Sequence, residues 1–342
     1  TVAILAQAVL KRSCLSTAPR VATTMASAPF LEFGFCGIDY SAPLEVLRQV
    51  FAPIGGVAGS EVRLVAAFQL AYQGFPWQPT PEYEEGAPRE KRRYGGLVYP
   101  AWSEVDAFRK ELPAGTLLSF HLNETPKCPY VSGLLRGEPD VLKLVGMLVE
   151  QYAARHVQVN LTANGVAPGL FTPPGAEGED AAGAEAAIGV LRKLCTDYPD
   201  TVFVVPIAQL TRPDGVSIDT LAFFKRLLAA GPVPANLCAF FDSSAGTGKE
   251  PDAAPEIPPE YPQGVQQRVG FTGGIHAGNV KVWLDRYTAR ARQHGCSLLS
   301  DAQSGFRQER NRGKPVDVEA LLALAAAVRE WAAGQPWPKA EV

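Results

Sequence analysis

Four short stretches of this chain carry residues whose types suit proton transfer and anion binding. Cys36 closes the apolar run LEFGFC, and Asp242 closes LCAFFD. A carboxylic acid whose pKa is raised by burial can donate a proton, and a thiol whose pKa is depressed can accept one. The plainer readings are an Asp that caps the SSAGTG loop behind it and a cysteine that only packs. Gly273 and Gly274 interrupt RVGFTGGIHAGNV, and Ser304 and Gly305 follow SLLSDAQ. Glycine admits left-handed backbone angles that turn successive N–H groups towards one point, an anion site, though it also serves simple tight turns. Helix N-termini just beyond such turns add favourable partial charge. Arg93 and Lys249 are candidate anion contacts, with solvated loop charge as the alternative. His121 and His156 read equally well as packed and as functional histidines.

The elements that must position these residues follow a strand, turn, helix rhythm. Strands are expected at Leu31–Ile38, Val62–Leu70, Thr116–Asn123, His156–Leu161 and Thr201–Ala208, and at the starts of the three tail runs from Leu237, Arg268 and Ser297. Helices are expected from Ser41, as cap, to Phe51, then at 103–111, 139–154, to near Cys195 from about 182, at 217–230, and behind two of the three tail runs, the final one at 316–333. Apolar strands alternating with helical stretches argue for parallel βα units rather than a sandwich. Eight strands in one direction make a closed barrel the economical answer, and about 250 residues suffice for one. The segment 253–263 (AAPEIPPEYPQ) is too rich in proline for a helix interior. The fold expected is therefore an α/β, single-domain (β/α)8 barrel over 29–342. A loop replaces the helix between strands six and seven, and insertions follow strands two (71–100) and four (162–182). Working residues of such barrels stand at the C-terminal strand ends. Here those ends are Cys36, the 92–94 loop, His121 and Asn123, Asn160, Gln209, Asp242, Gly273–Gly274 and Ser304–Gly305.

Composition bounds the partners. The chain has 342 residues, 46% of them hydrophobic, and a net charge of −3, so nothing global points to nucleic acid or an anionic membrane. Six widely spaced cysteines without a CxxC pair read as reduced thiols rather than a disulfide scaffold or zinc knuckle. No apolar run approaches the roughly 20 residues that cross a bilayer. Residues 1–31 lack Asp and Glu and are rich in Ala, Ser and Thr, the composition of an organelle transit peptide, while Met25 offers an alternative start. Residues 1–28 are read as leader or extension: mitochondrial or plastid location follows from the first, cytoplasmic from the second.

The motifs resemble phosphoribosylanthranilate isomerase, the barrel enzyme of tryptophan biosynthesis. FGFCGI matches its first strand, FFDSSAGTGK its sixth with the following glycine loop, TGGIHAGNV its seventh and DAQSG its eighth. HLNETP and KRRY at Lys91–Tyr94 are weaker echoes, and Arg307 stands where the family usually has an acidic residue. The resemblance implies an Amadori rearrangement of an aminoaldose phosphate to an aminoketose phosphate, with Cys36 as general base and Asp242 as general acid. Gly273, Gly274, Asp301, Ser304, Gly305 and Arg93 would hold the phosphorylated substrate. No metal or organic cofactor is implied, because the opened imine is its own electron sink. RRYGGLVYPAW and HVQVNL also resemble a set of barrels with these motifs and no assigned activity. That likeness allows a non-catalytic, phosphate-binding barrel that joins a larger assembly through its insertions.

Overall fold

The computed structural model describes residues 30–54, 62–78, 96–163, 166–171, 178–211, 215, 217–244, 248–264 and 266–336. The expected leader (1–28) and Arg93 lie outside the described residues. Eight parallel strands close a barrel: β1 (Leu31–Cys36), β2 (Val62–Leu70), β3 (Leu117–Leu122), β4 (Ala154–Val159), β5 (Val202–Ile207), β8 (Leu237–Asp242), β9 (Arg268–Thr272) and β10 (Ser297–Ala302). They neighbour one another in the order β1-β10-β9-β8-β5-β4-β3-β2, so the first and last strands pair and close the cylinder. Between β5 and β8 a two-stranded hairpin, β6 (Gln209–Thr211) with antiparallel β7 (Ser217–Asp219), stands apart from the barrel.

Eight helices are described: α1 (Leu44–Val50), α2 (Trp102–Glu111), α3 (Tyr130–Leu135), α4 (Pro139–Glu150), α5 (Glu179–Asp197), α6 (Thr220–Ala229), α7 (Val280–His294) and α8 (Val318–Ala333). Side chains alternate along each strand, so one set meets the helices and the other fills the barrel. Phe35 faces outward against Phe51 and Phe306, Phe68 stacks on Phe108, and Phe271 stacks on Tyr287. Burying each such ring contributes roughly 1.5–3 kcal/mol. The inner set is layered. Glu32, His156 and Arg268 form a buried ionic layer, and an apolar layer of Val202, Val204, Cys238, Phe240 and Leu299 also fills the interior. Phe240 lies over Gly270, where an added Cβ would come within 2.0 Å of the ring, so this strand position has room only for glycine.

Several boundaries differ from the sequence expectation, each for a local reason. Ser41 does not cap α1; its Oγ donates to Asp39 Oδ1 at 2.6 Å, and Pro43 occupies the cap position. The expected helix from Ser217 begins instead at Thr220. Ser217–Asp219 is β-strand, and Asp219 caps α6 by accepting from Leu221 N and Ala222 N. Likewise Asp317, not Val316, opens the last helix by accepting from Ala320 N. The helix expected over 139–154 stops at Glu150, and the strand starts earlier, at Ala154, after Ala153 takes a left-handed φ of 53°. The short helix α3 was not anticipated. The helix expected from about 182 begins at Glu179, after a 3-10 turn at Pro168–Phe171 within the insertion. Among the described residues no helix joins β8 to β9. The insertion after β2 is tied at its base by one side chain, Gln73. Its amide donates to Gln69 O and Pro100 O and accepts from Ala71 N and Tyr72 N.

Candidate active site

A cavity of about 740 Å³ opens at the C-terminal ends of the barrel strands. Cys36, Asp242, Gly273, Gly274, Asp301 and Ser304 all line it, so β1, β8, β9 and β10 bring these predicted residues to one chamber. Gly305 is not part of the cavity wall and packs against the β9 loop: a Cβ there would lie 1.8 Å from the Ile275 carbonyl oxygen. Gly273 and Gly274 both have left-handed φ, 126° and 60°, as an N–H-presenting turn requires. Gly248 joins them, close enough that a Cβ there would meet Ser304 Oγ. Three loops therefore converge on one rim.

Cys36 is 3% exposed. Its Sγ lies 3.3 Å from His121 Nδ1 and accepts a hydrogen bond from Gln69 Nε2, also at 3.3 Å. Burial pushes the thiol pKa far up, with the Asp301 carboxylate adding to it and the Gln69 contact opposing it. Burial, helped by His156, brings His121 down to about 3, so its ring is neutral and Nδ1 can accept a hydrogen bond from the thiol. A relay of amides holds this pair. Gln69 Oε1 accepts from Asn123 Nδ2 (3.4 Å), Asn123 Oδ1 from Asn160 Nδ2 (2.7 Å), and Asn160 Oδ1 from Thr162 Oγ1 (2.6 Å).

Two carboxyls complete the chamber. Burial raises Asp301 to about 7; hydrogen bonding by Thr272 works against this, and the charge of Asp242 adds to it. Asp242 also turns its own loop, since Oδ1 accepts from Ser244 N (3.0 Å) and Ser244 Oγ (2.6 Å). Thr272 Oγ1 donates to Asp301 O at 2.9 Å and fastens β9 to β10 at this level.

The other candidates divide. His121 enters the chamber, whereas His156 lies in the ionic layer, 2.7 Å from Glu32, and does not line the cavity. Lys249 and Gln209 are exposed and stand off the cavity wall. Arg307 is wholly buried and bridges the β1 and β10 loops, donating to Asp39 Oδ2, Gly37 O and Lys314 O. Gln69, Arg310 and Arg312 line the cavity without having been singled out. For the two arginines a signal existed: the basic run RNRGK directly behind the eighth strand's glycine turn. Gln69 offered none, being one polar residue inside an apolar strand.

No protein-family profile matches the chain, and no curated protein matches it. Among solved structures the chain is similar to phosphoribosyl anthranilate isomerase from Thermus thermophilus at 14% identity and a TM-score of 0.40. That likeness covers 87% of this chain and 98% of that one. It is also similar to TrpF from Jonesia denitrificans at 11% identity and a TM-score of 0.40, over 89% of this chain and 100% of that one. Identities and overlaps of this size leave the chemistry to be argued from the chamber itself.

Proposed function

We propose that the chain is a sugar-phosphate isomerase of the phosphoribosylanthranilate isomerase type, catalysing an Amadori rearrangement at the barrel mouth. The observation that carries this reading is the meeting of Cys36, Asp242 and Asp301 in one chamber under three converging glycine loops. The phosphate sits at the Gly248, Gly273–Gly274 and Ser304–Gly305 rim, where the left-handed φ of Gly248, Gly273 and Gly274 suits turns that converge N–H groups on an anion. Arg310 and Arg312 on the β10 loop add positive charge to the same wall.

Asp242 protonates the ring oxygen, and the C1′–O bond breaks to leave a protonated Schiff base. Cys36 then removes the C2′ proton; the electron pair moves into the C1′–C2′ bond and neutralises the iminium nitrogen, giving an enolamine. Tautomerisation yields the aminoketose. Burial disfavours both the Cys36 thiolate and a protonated His121. The thiol proton therefore goes to the Asp301 carboxylate within 4.8 Å, a stronger base than His121, and neutral His121 holds the sulfur in place through Nδ1. Loss of phosphoribosylanthranilate fluorescence with purified protein tests the reading. Turnover by wild type and its loss in Cys36→Ala is the expected result; equal inactivity of both sinks the assignment.

Two observations favour a second reading, a phosphate-binding barrel without catalysis that joins a larger assembly. The Asp242 carboxylate is engaged by Ser244, and the Cys36 thiol is pushed away from its reactive form. Native mass measurements on protein purified from its source, showing only a free monomer or homodimer, would count against that assembly role.

A further inference from the structure

We propose that Cys36, His121 and Asp301 form a three-ligand binding site for a borderline-soft divalent cation, zinc being the best fit. The inference goes beyond the isomerase reading and does not rest on it. The donor atoms of these three residues all lie within 4.8 Å of one another. They arrive from β1, β3 and β10, three strands whose backbones the closed barrel holds fixed. Tetrahedral zinc with ordinary Zn–S and Zn–N bonds places its ligands roughly 3.5 Å apart. The Cys36 Sγ to His121 Nδ1 separation is 3.3 Å, so that edge already fits.

The donor set selects the ion. One sulfur, one imidazole nitrogen and one carboxylate oxygen suit zinc, whereas calcium and magnesium call for oxygen shells. Three protein ligands with a fourth position open is the pattern of reactive zinc sites, and here all three ligands line the cavity, so that position faces it. An outer shell is also built. Gln69 Nε2 donates to the ligand sulfur and is itself held through Asn123, and Thr272 Oγ1 anchors the Asp301 backbone. Coordination replaces the thiol proton, which leaves to solvent. With the sulfur committed to the ion, Cys36 no longer serves as a base, so zinc inhibits isomerisation.

Titration of the chelator-treated full-length chain with zinc by calorimetry, and with cobalt by absorbance, tests the site without any substrate. The expected result is one equivalent of each ion, with a sulfur-to-cobalt charge-transfer band. Cys36→Ala should abolish the band and weaken zinc binding by more than about 100-fold. Gln69→Leu, which keeps all three ligands, should weaken it by about 10-fold. Circular dichroism of each variant separates lost ligands from lost folding, and Asp301→Asn offers a ligand change of nearly constant volume. Absence of stoichiometric binding, or binding unchanged in Cys36→Ala, overturns the proposal. The fluorescence assay run with zinc and with chelator keeps the two readings apart. Binding without turnover under either condition removes the isomerase and keeps the site, and turnover indifferent to saturating zinc removes the site.

Discussion

Arg307 donates to Asp39 Oδ2 at 2.6 Å, and both side chains are fully buried, 0% exposed. They lie at the ends of the first and last strands, which pair to close the barrel. Asp39 uses its other contacts to accept from Val98 N, Ser41 N and Ser41 Oγ, so one carboxylate gathers the loops after β1, β2 and β10. Removing one partner of such a pair strands a buried charge, at a cost of about 3–5 kcal/mol. Arg307→Met should lower the unfolding free energy by that amount in a denaturant titration. Adding Asp39→Asn to it should recover only part of the loss, because the asparagine cannot accept from all the donors that remain. Equal stability of Arg307→Met and wild type would show that the pair does not fasten the barrel.

The ionic layer inside the barrel makes stability depend on pH. Burial alone would raise Glu32, but His156, Arg155 and Arg268 outweigh it and hold the carboxyl well below its ordinary range. Burial lowers His156 despite the opposing pull of Glu32. Both folded pKa values lie below their unfolded ones, so the unfolded chain binds more protons at low pH and stability falls with acid. The His156 share begins to be lost as pH drops below about 6.5 and the Glu32 share below about 4.3, each loss continuing down to the group's own lowered folded value. Urea midpoints should therefore fall between about pH 7.5 and pH 5.5, and fall again towards about pH 4. In His156→Gln the upper step should shrink but persist in part, because buried His121, lowered to about 3, loses stability over the same interval. A midpoint flat across the upper interval in wild type would contradict this account.

The barrel was legible because its strands are short buried runs at regular spacing, and Cys36 and Asp242 were legible because each ends such a run. Helix starts were misplaced where one side chain decides them, as Asp219 and Asp317 do for α6 and α8. The site's inner partners were not legible. Gln69 and His121 meet Cys36 across separations of 33 and 85 residues, and Arg307 meets Asp39 across 268. Only strand register and closure of the cylinder bring such residues together, and no local pattern records either. Arg307 read as a departure from an acidic family position, yet its buried place explains it as a fastener.

In the proposed reaction neutral His121 holds the Cys36 sulfur in place through Nδ1. His121→Gln keeps a polar side chain in the chamber but removes that ring contact. Turnover should fall by about 10²- to 10⁴-fold with KM nearly unchanged, since the phosphate rim is untouched. A rise in KM with turnover intact would move His121 from holding the sulfur to binding substrate.

Gly305 tests the phosphate rim. A methyl group there would sit 1.8 Å from the Ile275 carbonyl oxygen and 3.0 Å from His276 Cα, and both are backbone, so the β9 and β10 loops must part to admit it. Overpacking of this kind costs about 1–3 kcal/mol. Parting the loops also spreads the N–H groups that are to share one anion. Gly305→Ala should therefore lose stability and weaken inorganic phosphate binding, read by calorimetry, by about 10-fold or more. Gly183 makes the control, because it lies inside α5 with nothing within 4 Å of an added Cβ. Gly183→Ala should leave phosphate binding unchanged and stabilise the chain by about 0.5–1 kcal/mol. Phosphate binding that survives Gly305→Ala undiminished would place the anion away from the converging loops.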